Sequence, residues 1–332
     1  MNHKNQDLAA IEWARVTLGE FGYELNSIEP VIVKNTPWSY VAQFQTSEGH
    51  IYLKQVPEAI AVESKIIEIL QQNFGADVPE IISENASLHC FLMKDAGRPL
   101  RERLKEKFDN HLLCEAAQKF TELQMIVAKK LKIFFEVGVP DWRLDKLPKL
   151  YHEVIQDEDL LLSEGFSLQQ IESMKCYEEE IKKWCEALAM YPIPESIIQP
   201  DFHDNNLLID DTSNKITWID LGEVLISHPF FPLFTYLMQI KKHHALEEGD
   251  VVYEKIKNTC FQPYRQLLET NAHFEHAIRI AEKLNIVYGV AYQYRFMQIC
   301  EKELLIAANQ WYFKSTINEL MRYMWCQSIL II

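Results

Sequence analysis

Residues with the chemistry for acid–base catalysis and metal binding are concentrated in one segment of the sequence, residues 197–223. Five polar residues lie close together there, between short apolar runs: Asp201, His203, Asp204, Asn205 and Asn206. A further carboxylate, Asp220, follows the apolar run 216–219, and the turn at 210–215 predicts a hairpin that returns Asp220 to the polar cluster. Carboxylate and amide oxygens that converge in this way suit Mg²⁺, which binds substrate phosphates alongside one or two protein groups.

The simplest alternative is a hydrophilic surface loop, because Asp and Asn are also common turn residues. The spacing of the whole set favours chemistry. Asp201 is followed five positions later by Asn206, and the next strand ends in Asp220-Leu221-Gly222. This is the order of the protein-kinase catalytic loop and of the metal-binding Asp-Phe-Gly motif, so the segment predicts phosphoryl transfer.

The elements that must position this segment change in character near residue 95. Upstream of it, β-branched and aromatic runs separated by turn signals predict five strands, at 28–33, 40–46, 51–56, 81–82 and 90–93. A helix is predicted over 59–73, between the third and fourth strands. Residues 1–95 are therefore expected to form a small α+β lobe.

Downstream of residue 95, helical periodicity dominates. A long helix is predicted to begin at Asn110 and to end before Gly138 and Pro140. A second helix is predicted from Ser167, where Ser-Leu-Gln-Gln forms a capping box, to Pro192. A second lobe of residues 96–332 would thus be mostly helical and would contain the polar segment.

The polar segment resembles the signature of the aminoglycoside phosphotransferase and choline kinase family, small-molecule kinases that share the protein-kinase fold. That signature runs roughly His-Gly-Asp-x-His-x-x-Asn and then, after a strand, Ile-Asp-Trp-Gly followed by Asp or Glu. The matching residues here are Gln199-Pro200-Asp201-Phe202-His203-Asp204-Asn205-Asn206 and Ile219-Asp220-Leu221-Gly222-Glu223. Gln199 and Pro200 replace the His-Gly that opens the family motif.

The resemblance implies an α+β, protein-kinase-like two-lobed fold, with a small β-rich N-terminal lobe and a large, mostly helical C-terminal lobe. The N-terminal lobe, 1–95, would bind nucleotide, and the C-terminal lobe, 96–332, would carry catalysis and bind the substrate. The implied reaction is transfer of the γ-phosphoryl group of ATP or GTP to a hydroxyl of a small molecule. Asp201 would orient that hydroxyl and accept its proton, while Asn206 and Asp220 would hold Mg²⁺.

The resemblance extends into the N-terminal lobe. The family has a lysine on its third strand that contacts nucleotide phosphates and pairs with a helix glutamate. Lys54 stands on the third predicted strand, and Glu63 occupies the helix position, with Glu68 as the alternative partner. The pair Lys54–Glu63 is therefore expected to position the α and β phosphates.

Two further segments resemble the nucleotide contacts of the family. The first hairpin, 34–39, has no glycine, and its backbone amides near Ser39 are expected to face phosphate. The segment from Met93 to Asp95 resembles the hinge strand, whose main-chain groups would pair with the adenine edge.

Composition limits the partners that fit. The 332 residues include 33 Lys and Arg against 48 Asp and Glu, for a net charge of -15, which argues against nucleic-acid binding. The same charge is compatible with a cationic acceptor such as an aminoglycoside or an amino alcohol. Seven scattered cysteines without a C-x-x-C pair predict reduced thiols and a cytoplasmic protein. A polar N-terminus and a longest apolar stretch of only residues 229–238 predict neither a signal peptide nor membrane contact.

Two other functions are compatible with the same residues. The Gln-Pro pair at 199–200 makes a non-catalytic nucleotide-binding pseudokinase, acting by interaction, conceivable. The retention of Asp201, Asn206 and Asp220 favours an enzyme. A metal-dependent hydrolase could use Asp201, His203 and Asp220, but the sequence has no second cluster of His and Asp beside them. The identity of the acceptor, the choice between ATP and GTP, and the oligomeric state are left open.

Overall fold

The computed structural model describes residues 3–329 and contains fourteen helices and ten strands. The helices are α1 (His3–Glu20), α2 (Glu63–Phe74), α3 (Leu100–Glu106), α4 (Asn110–Val127), α5 (Lys132–Glu136), α6 (Leu147–Gln156), α7 (Glu158–Ser163), α8 (Leu168–Lys175), α9 (Glu178–Ala189), α10 (Phe230–His244), α11 (Val251–Arg265), α12 (Asn271–Ile299), α13 (Lys302–Ala307) and α14 (Phe313–Ile329). The strands are β1 (Val31–Thr36), β2 (Ser39–Thr46), β3 (Gly49–Gln55), β4 (Ile81–Asn85), β5 (Cys90–Lys94), β6 (Arg98–Pro99), β7 (Ser196–Ile198), β8 (Leu207–Ile209), β9 (Ile216–Trp218) and β10 (Leu225–Ser227).

The chain divides into two compact units that each contain separate stretches of sequence. The first unit consists of the chain up to Asp109 together with residues 132–139 and 203–223. The second consists of residues 110–131, 140–202 and the chain from 224 onwards. The polar segment identified in the sequence therefore contributes to both units, and most of it belongs to the first.

The first unit is built on a five-stranded antiparallel sheet with the strand order β1-β2-β3-β5-β4. One face of the sheet is covered by α1, whose buried residues Ala10, Ala14 and Leu18 pack with Phe44 and Leu53. Helix α2 lies between β3 and β4 in the chain, as predicted, and ends at Gly75, whose φ of 63° is left-handed. The prediction of five strands with one inserted helix is confirmed, although helix α1 was not predicted.

Several element boundaries in this unit differ from the prediction, by the most at the first strand, the fourth strand, which is Ile81–Asn85 and not 81–82, and the helix. The strand expected at 28–33 begins at Val31 and continues to Thr36. The helix expected over 59–73 is a short 3₁₀ turn at Glu58–Ile60 followed by α2 from Glu63.

The long helix predicted from Asn110 is interrupted, and this correction has a packing reason. It ends at Val127, whose carbonyl accepts the N–H of Lys130 at 2.8 Å in a tight turn, and α5 begins at Lys132. Phe134 on α5 is fully buried in the first unit, with its ring 5.9 Å from that of Phe74. Burial of an aromatic side chain outweighs the hydrogen bonds of a continued helix turn.

The second predicted helix starts as expected and is then also interrupted. Ser167 and Gln170 form the predicted capping box at the start of α8. The helix stops at Lys175 and resumes as α9 at Glu178. At the break the Met174 carbonyl accepts the Tyr177 N–H at 3.0 Å and the Tyr151 hydroxyl at 3.1 Å. In a continuous helix that carbonyl would accept the N–H four residues further on.

The second unit is mostly helical and contains the antiparallel strand pair β7 and β10. Its longest helix, α12, packs against α6, α9, α10 and α14. Among the residues that the structure describes, no helix combines the length and the apolar character needed to cross a bilayer.

Candidate active site

A cavity of about 330 Å³ lies within the first unit, and residues of β1, β2, β3 and β5 contribute to its lining. Six of the eight residues predicted for the site line it: Ser39, Lys54, Glu63, Met93, Asn206 and Asp220. The fold thus brings together predicted site residues that are up to 181 positions apart in the chain (Ser39 to Asp220). Asp95 and Asp201 are not on its lining.

The centre of the cavity is an ion cluster around Lys54. The Lys54 Nζ lies 2.7 Å from Oε2 of Glu63 and 2.5 Å from Oδ1 of Asp220. The predicted ion pair with Glu63, rather than Glu68, is therefore present. Lys54 and Glu63 are almost completely buried, whereas the Asp220 side chain is 31% exposed toward the cavity.

Burial and charge act against each other in this cluster. Burial by itself would lower the pKa of Lys54, but the neighbouring Asp220 and Glu63 carboxylates outweigh it and raise that pKa. Burial likewise disfavours the charged form of Asp220, and the Lys54 and Lys34 ammonium groups overcome it, so the pKa of Asp220 lies well below its usual range. Burial raises the pKa of Glu63, which Lys54 opposes. Lys54 and Asp220 are thus both held charged at neutral pH.

Asp220 reaches this cluster through the predicted hairpin. Strands β8 and β9 pair antiparallel, with Leu207 opposite Trp218, and the Ile219 N–H donates to the Asn206 carbonyl at 3.1 Å. That hydrogen bond fixes Asp220 next to the end of the polar loop. The expectation that the hairpin returns Asp220 to Asn206 is confirmed by this geometry.

The backbone at Asp220 adopts a conformation that costs free energy and that occurs often at functional sites. Its φ of 64° is left-handed, which is uncommon for a residue other than glycine, although Asp tolerates it better than most. The two residues that follow Asp220 are consistent with this conformation. The Leu221 N–H donates to Oε1 of Glu63 at 2.9 Å. A Cβ on Gly222 would lie only 3.1 Å from the carbonyl oxygen of Ile60, so this position favours glycine.

The polar loop before β8 is anchored by a buried ion pair. Asp204 is fully buried, and its Oδ1 accepts from Arg101 Nε at 2.9 Å and from Nη2 at 2.7 Å. The Arg101 N–H also donates to the Asp204 carbonyl at 3.0 Å. The loop that carries Asn206 is therefore rigid on the side of α3. Sequence reasoning noted Asp204 as a polar residue but did not assign it this positioning role.

The hinge-like segment after β5 is held close to β8. Gly97 has a φ of 109°, and a Cβ there would overlap the carbonyl of Ile209, so only glycine fits. Met93 lines the cavity. Asp95 is not on the cavity lining, and its polar groups are hydrogen-bonded within the protein. Its N–H donates to the His50 carbonyl at 3.2 Å, and its carboxylate accepts the Gly97 N–H at 3.0 Å.

Ser39 presents an unused hydroxyl to the cavity. The residue is only 3% exposed, and its Oγ has no hydrogen-bond partner within the described part of the chain. A buried hydroxyl without a partner is costly, so a ligand that accepts a hydrogen bond there would be favoured. This observation supports the expectation that the first hairpin faces phosphate.

Asp201 belongs to the second unit, at the end of the stretch that precedes residue 203. Its side chain is exposed, and the turn next to it is closed by the Phe202 N–H, which donates to the Gln199 carbonyl at 3.1 Å. Phe202 is buried and stacks on Phe120, with ring centroids 3.9 Å apart. Phe202 is thus buried while its neighbour Asp201 is exposed.

The donor set suits Mg²⁺. Asp220 and Asn206 line the same cavity and offer one carboxylate and one amide oxygen, a set typical of sites in which Mg²⁺ also binds phosphates and water. The Asp220 carboxylate is already oriented toward positive charge, because two ammonium groups approach its two oxygens. Clusters of three or more His, Cys, Asp or Glu that could hold a metal do not occur in the described residues.

One residue of the cluster was missed by the sequence reasoning. Lys34, on β1, also lines the cavity, with its Nζ 3.3 Å from Oδ2 of Asp220. A lysine in a short exposed strand carries no signal of its own, and only the three-dimensional structure shows what it faces.

Comparison with solved structures identifies the fold. The chain is similar to an amicoumacin kinase in complex with AMP-PNP and Ca²⁺, at 13% identity and a TM-score of 0.55, covering 96% of each chain. It is similar to the ethanolamine kinase of Plasmodium vivax, at 11% identity and a TM-score of 0.58, covering 87% of this chain and 81% of that one. The GDP complex of wild-type aminoglycoside 2'-phosphotransferase-IIIa matches at 13% identity and a TM-score of 0.56, covering 93% and 99%.

These matches establish a protein-kinase-like α+β fold, the fold of the aminoglycoside phosphotransferases and choline and ethanolamine kinases. The fold expected from the sequence resemblance is confirmed. No protein-family model matches the sequence. No curated protein matches it either.

Proposed function

We propose that this protein is a Mg²⁺-dependent phosphotransferase that moves the γ-phosphoryl group of ATP or GTP to a hydroxyl of a small molecule. The observation that carries the proposal is the Lys54–Glu63–Asp220 ion cluster, set with Asn206 around one cavity in a kinase-like fold. Neighbours with the same fold supply support, since their structures contain AMP-PNP or GDP.

In this proposal the first unit binds the nucleotide. Lys54, held by Glu63, positions the α and β phosphates, and the Ser39 hydroxyl donates to a phosphate oxygen. Asn206 and Asp220 hold Mg²⁺, which when bound offsets the negative charge of the phosphates. Met93 contacts the nucleotide base. The division into a nucleotide-binding lobe of 1–95 and a catalytic lobe of 96–332 stays a prediction. Residues 203–223, which carry Asn206 and Asp220, pack with the first unit.

The chemical step requires few protein groups because phosphoryl transfer depends mainly on positioning and electrostatic stabilisation. The acceptor oxygen forms a bond to the γ-phosphorus while the bond from that phosphorus to the β–γ bridging oxygen breaks. The proton of the acceptor hydroxyl passes to the carboxylate of Asp201. The products are the phosphorylated acceptor and the nucleoside diphosphate.

A cationic hydroxyl compound is the proposed class of acceptor. The net charge of -15 favours the approach of a cation at low ionic strength. Aminoglycosides and ethanolamine, which are both cationic, occur in the names of neighbours with this fold.

The test is a transfer assay with γ-labelled ATP or GTP, Mg²⁺ and a panel of aminoglycosides, choline, amino alcohols and neutral sugars. We expect label in at least one acceptor. Asp201→Asn should lower turnover by about 10²–10⁴-fold, the usual effect of losing a general base, with nucleotide affinity retained. Asp159→Asn, an exposed aspartate on α7, is the matched control and should behave as wild type.

Two outcomes would contradict the proposal. Binding of nucleotide without transfer to any acceptor would favour the pseudokinase alternative. Equal turnover in Asp201→Asn and wild type would remove Asp201 from the mechanism. Turnover confined to neutral acceptors would overturn the cationic class alone.

A further inference from the structure

Lys34 reaches the nucleotide cavity because β1 is irregular. Opposite β2, Ile32 pairs with Ala42 and Lys34 pairs with Val41, so Val33 is an extra residue that forms a β-bulge. A bulge breaks the alternation of side chains along a strand and is often found beside functional sites. Its consequence is visible here, since the consecutive residues Val33 and Lys34 both line the cavity.

The ion pair of Lys34 with Asp220 is looser than the ion pair of Lys54 with Asp220. Lys34 approaches Oδ2 at 3.3 Å and is 38% exposed, whereas Lys54 approaches Oδ1 at 2.5 Å and is 6% exposed. A partly exposed ion pair on a flexible lysine stem stabilises a protein by only about 0–1 kcal/mol. Lys34 can therefore leave Asp220 at little cost when a stronger partner enters the cavity.

The first hairpin offers a reason why such a lysine is needed. Many phosphate-binding loops use glycine-rich backbone whose N–H groups surround the phosphates. The hairpin from Lys34 to Ser39 has no glycine, and it contains Pro37, which has no backbone N–H. An ammonium group at its start supplies positive charge that this backbone cannot provide. The third lysine on the cavity lining, besides Lys34 and Lys54, is Lys94, which pairs with Glu80 at 2.7 Å.

We infer that Lys34 is a second phosphate-binding cation, which pairs with Asp220 in the nucleotide-free protein and transfers to the terminal phosphates of a bound nucleoside triphosphate. This inference rests on the proposed function, since it places the nucleotide in the same cavity. It assigns to a β1 lysine a contact that the sequence motif does not contain.

The experiment measures equilibrium affinity, not turnover. Wild type, Lys34→Met and Lys34→Arg are titrated with ATP, ADP and AMP in the presence of Mg²⁺, and thermal unfolding verifies that each variant is folded. Lys215→Met is the matched control. Lys215 also lies in the first unit and forms a lysine–aspartate pair at 3.3 Å, with Asp77, but it is not on the cavity lining.

We expect Lys34→Met to weaken ATP binding by about 10-fold, the scale of one lost charge-assisted hydrogen bond, and to change AMP binding by less than about twofold. Lys34→Arg should restore most of the ATP affinity, and Lys215→Met should match wild type.

Unchanged ATP affinity in Lys34→Met, or an equal loss for ATP and AMP, would overturn the inference and leave the proposed function standing. The proposed function fails separately, and the inference with it, if the wild type binds none of the three nucleotides.

Discussion

Buried polar groups are arranged differently in the two units of the molecule. In the first unit they include charged groups: Lys54, Glu63 and Asp220 meet at the wall of a cavity. In the described part of the second unit the buried polar side chains are neutral. The Gln124 amide donates to the Ile197 carbonyl at 3.0 Å and accepts from the Tyr264 hydroxyl at 2.8 Å.

The difference separates a functional arrangement from a structural one. Both the amide nitrogen and the amide oxygen of the Gln124 side chain are hydrogen-bonded to buried groups of the protein, so this network stabilises the fold. In the charged cluster, Asp220 has a left-handed backbone and a partly exposed carboxylate. The nearby Ser39 hydroxyl has no hydrogen-bond partner among the described residues. Strain and unused polar groups of this kind are typical of a site that a ligand completes.

The comparison predicts its largest effect on stability at Gln124. Gln124→Leu removes a donor and an acceptor and leaves the buried Tyr264 hydroxyl without its partner, so the free energy of unfolding should fall by about 2–3 kcal/mol. Urea unfolding measures it. Gln118→Leu, an exposed glutamine on the same helix, should change stability by no more than about 0.5 kcal/mol. An equal, small effect of both substitutions would mean that the network is not structural.

An effect on stability that depends on pH is predicted at His228, another buried neutral group of the second unit. Its Nδ1 accepts the Phe230 N–H at 3.4 Å, and its Nε2 has no hydrogen-bond partner among the described residues. Burial lowers the pKa of His228 from 6.5 to about 3. Below pH 6.5 the unfolded state therefore takes up a proton that the folded state does not. As the pH is lowered below 6.5, the free energy of unfolding should therefore decrease, by about 1.4 kcal/mol per pH unit from this group.

The measurement is urea unfolding of wild type and His228→Gln between pH 4.5 and 7.5. The variant should lack this part of the pH dependence, whatever its absolute stability. His111→Gln, at an exposed position on α4, serves as the control and should keep the wild-type slope. Parallel pH profiles for wild type and His228→Gln would show that the His228 ring is not held neutral in the folded protein.

Features that depend on neighbouring residues in the chain could be predicted from the sequence. The hairpin that returns Asp220 to Asn206 follows from a turn between two short strands, and the capping box at Ser167 follows from a four-residue pattern. The Lys54–Glu63 pair was expected from a family motif, whose order along the chain located Lys54 and left Glu63 and Glu68 as its possible partners.

Features that depend on distant contacts could not be predicted. The helix break after Val127 lets Phe134 pack against Phe74, and at the break after Lys175 the Met174 carbonyl accepts the hydroxyl of the distant Tyr151. Lys34 was missed because a one-residue bulge decides which side of β1 it faces. A period-2 pattern carries no information about such an insertion.

The most direct test of the central claim is calorimetric titration of Mg·ATP into wild type, Asp220→Ala and Gln124→Leu. The claim is that the charged cluster of the first unit binds nucleotide and metal, whereas the neutral network of the second unit only stabilises the fold. Asp220→Ala should therefore weaken Mg²⁺-dependent ATP binding by at least about 100-fold, since it removes the only carboxylate assigned to the metal. Gln124→Leu should bind as wild type does at temperatures where it is folded. The same ATP affinity in Asp220→Ala and wild type would contradict the account.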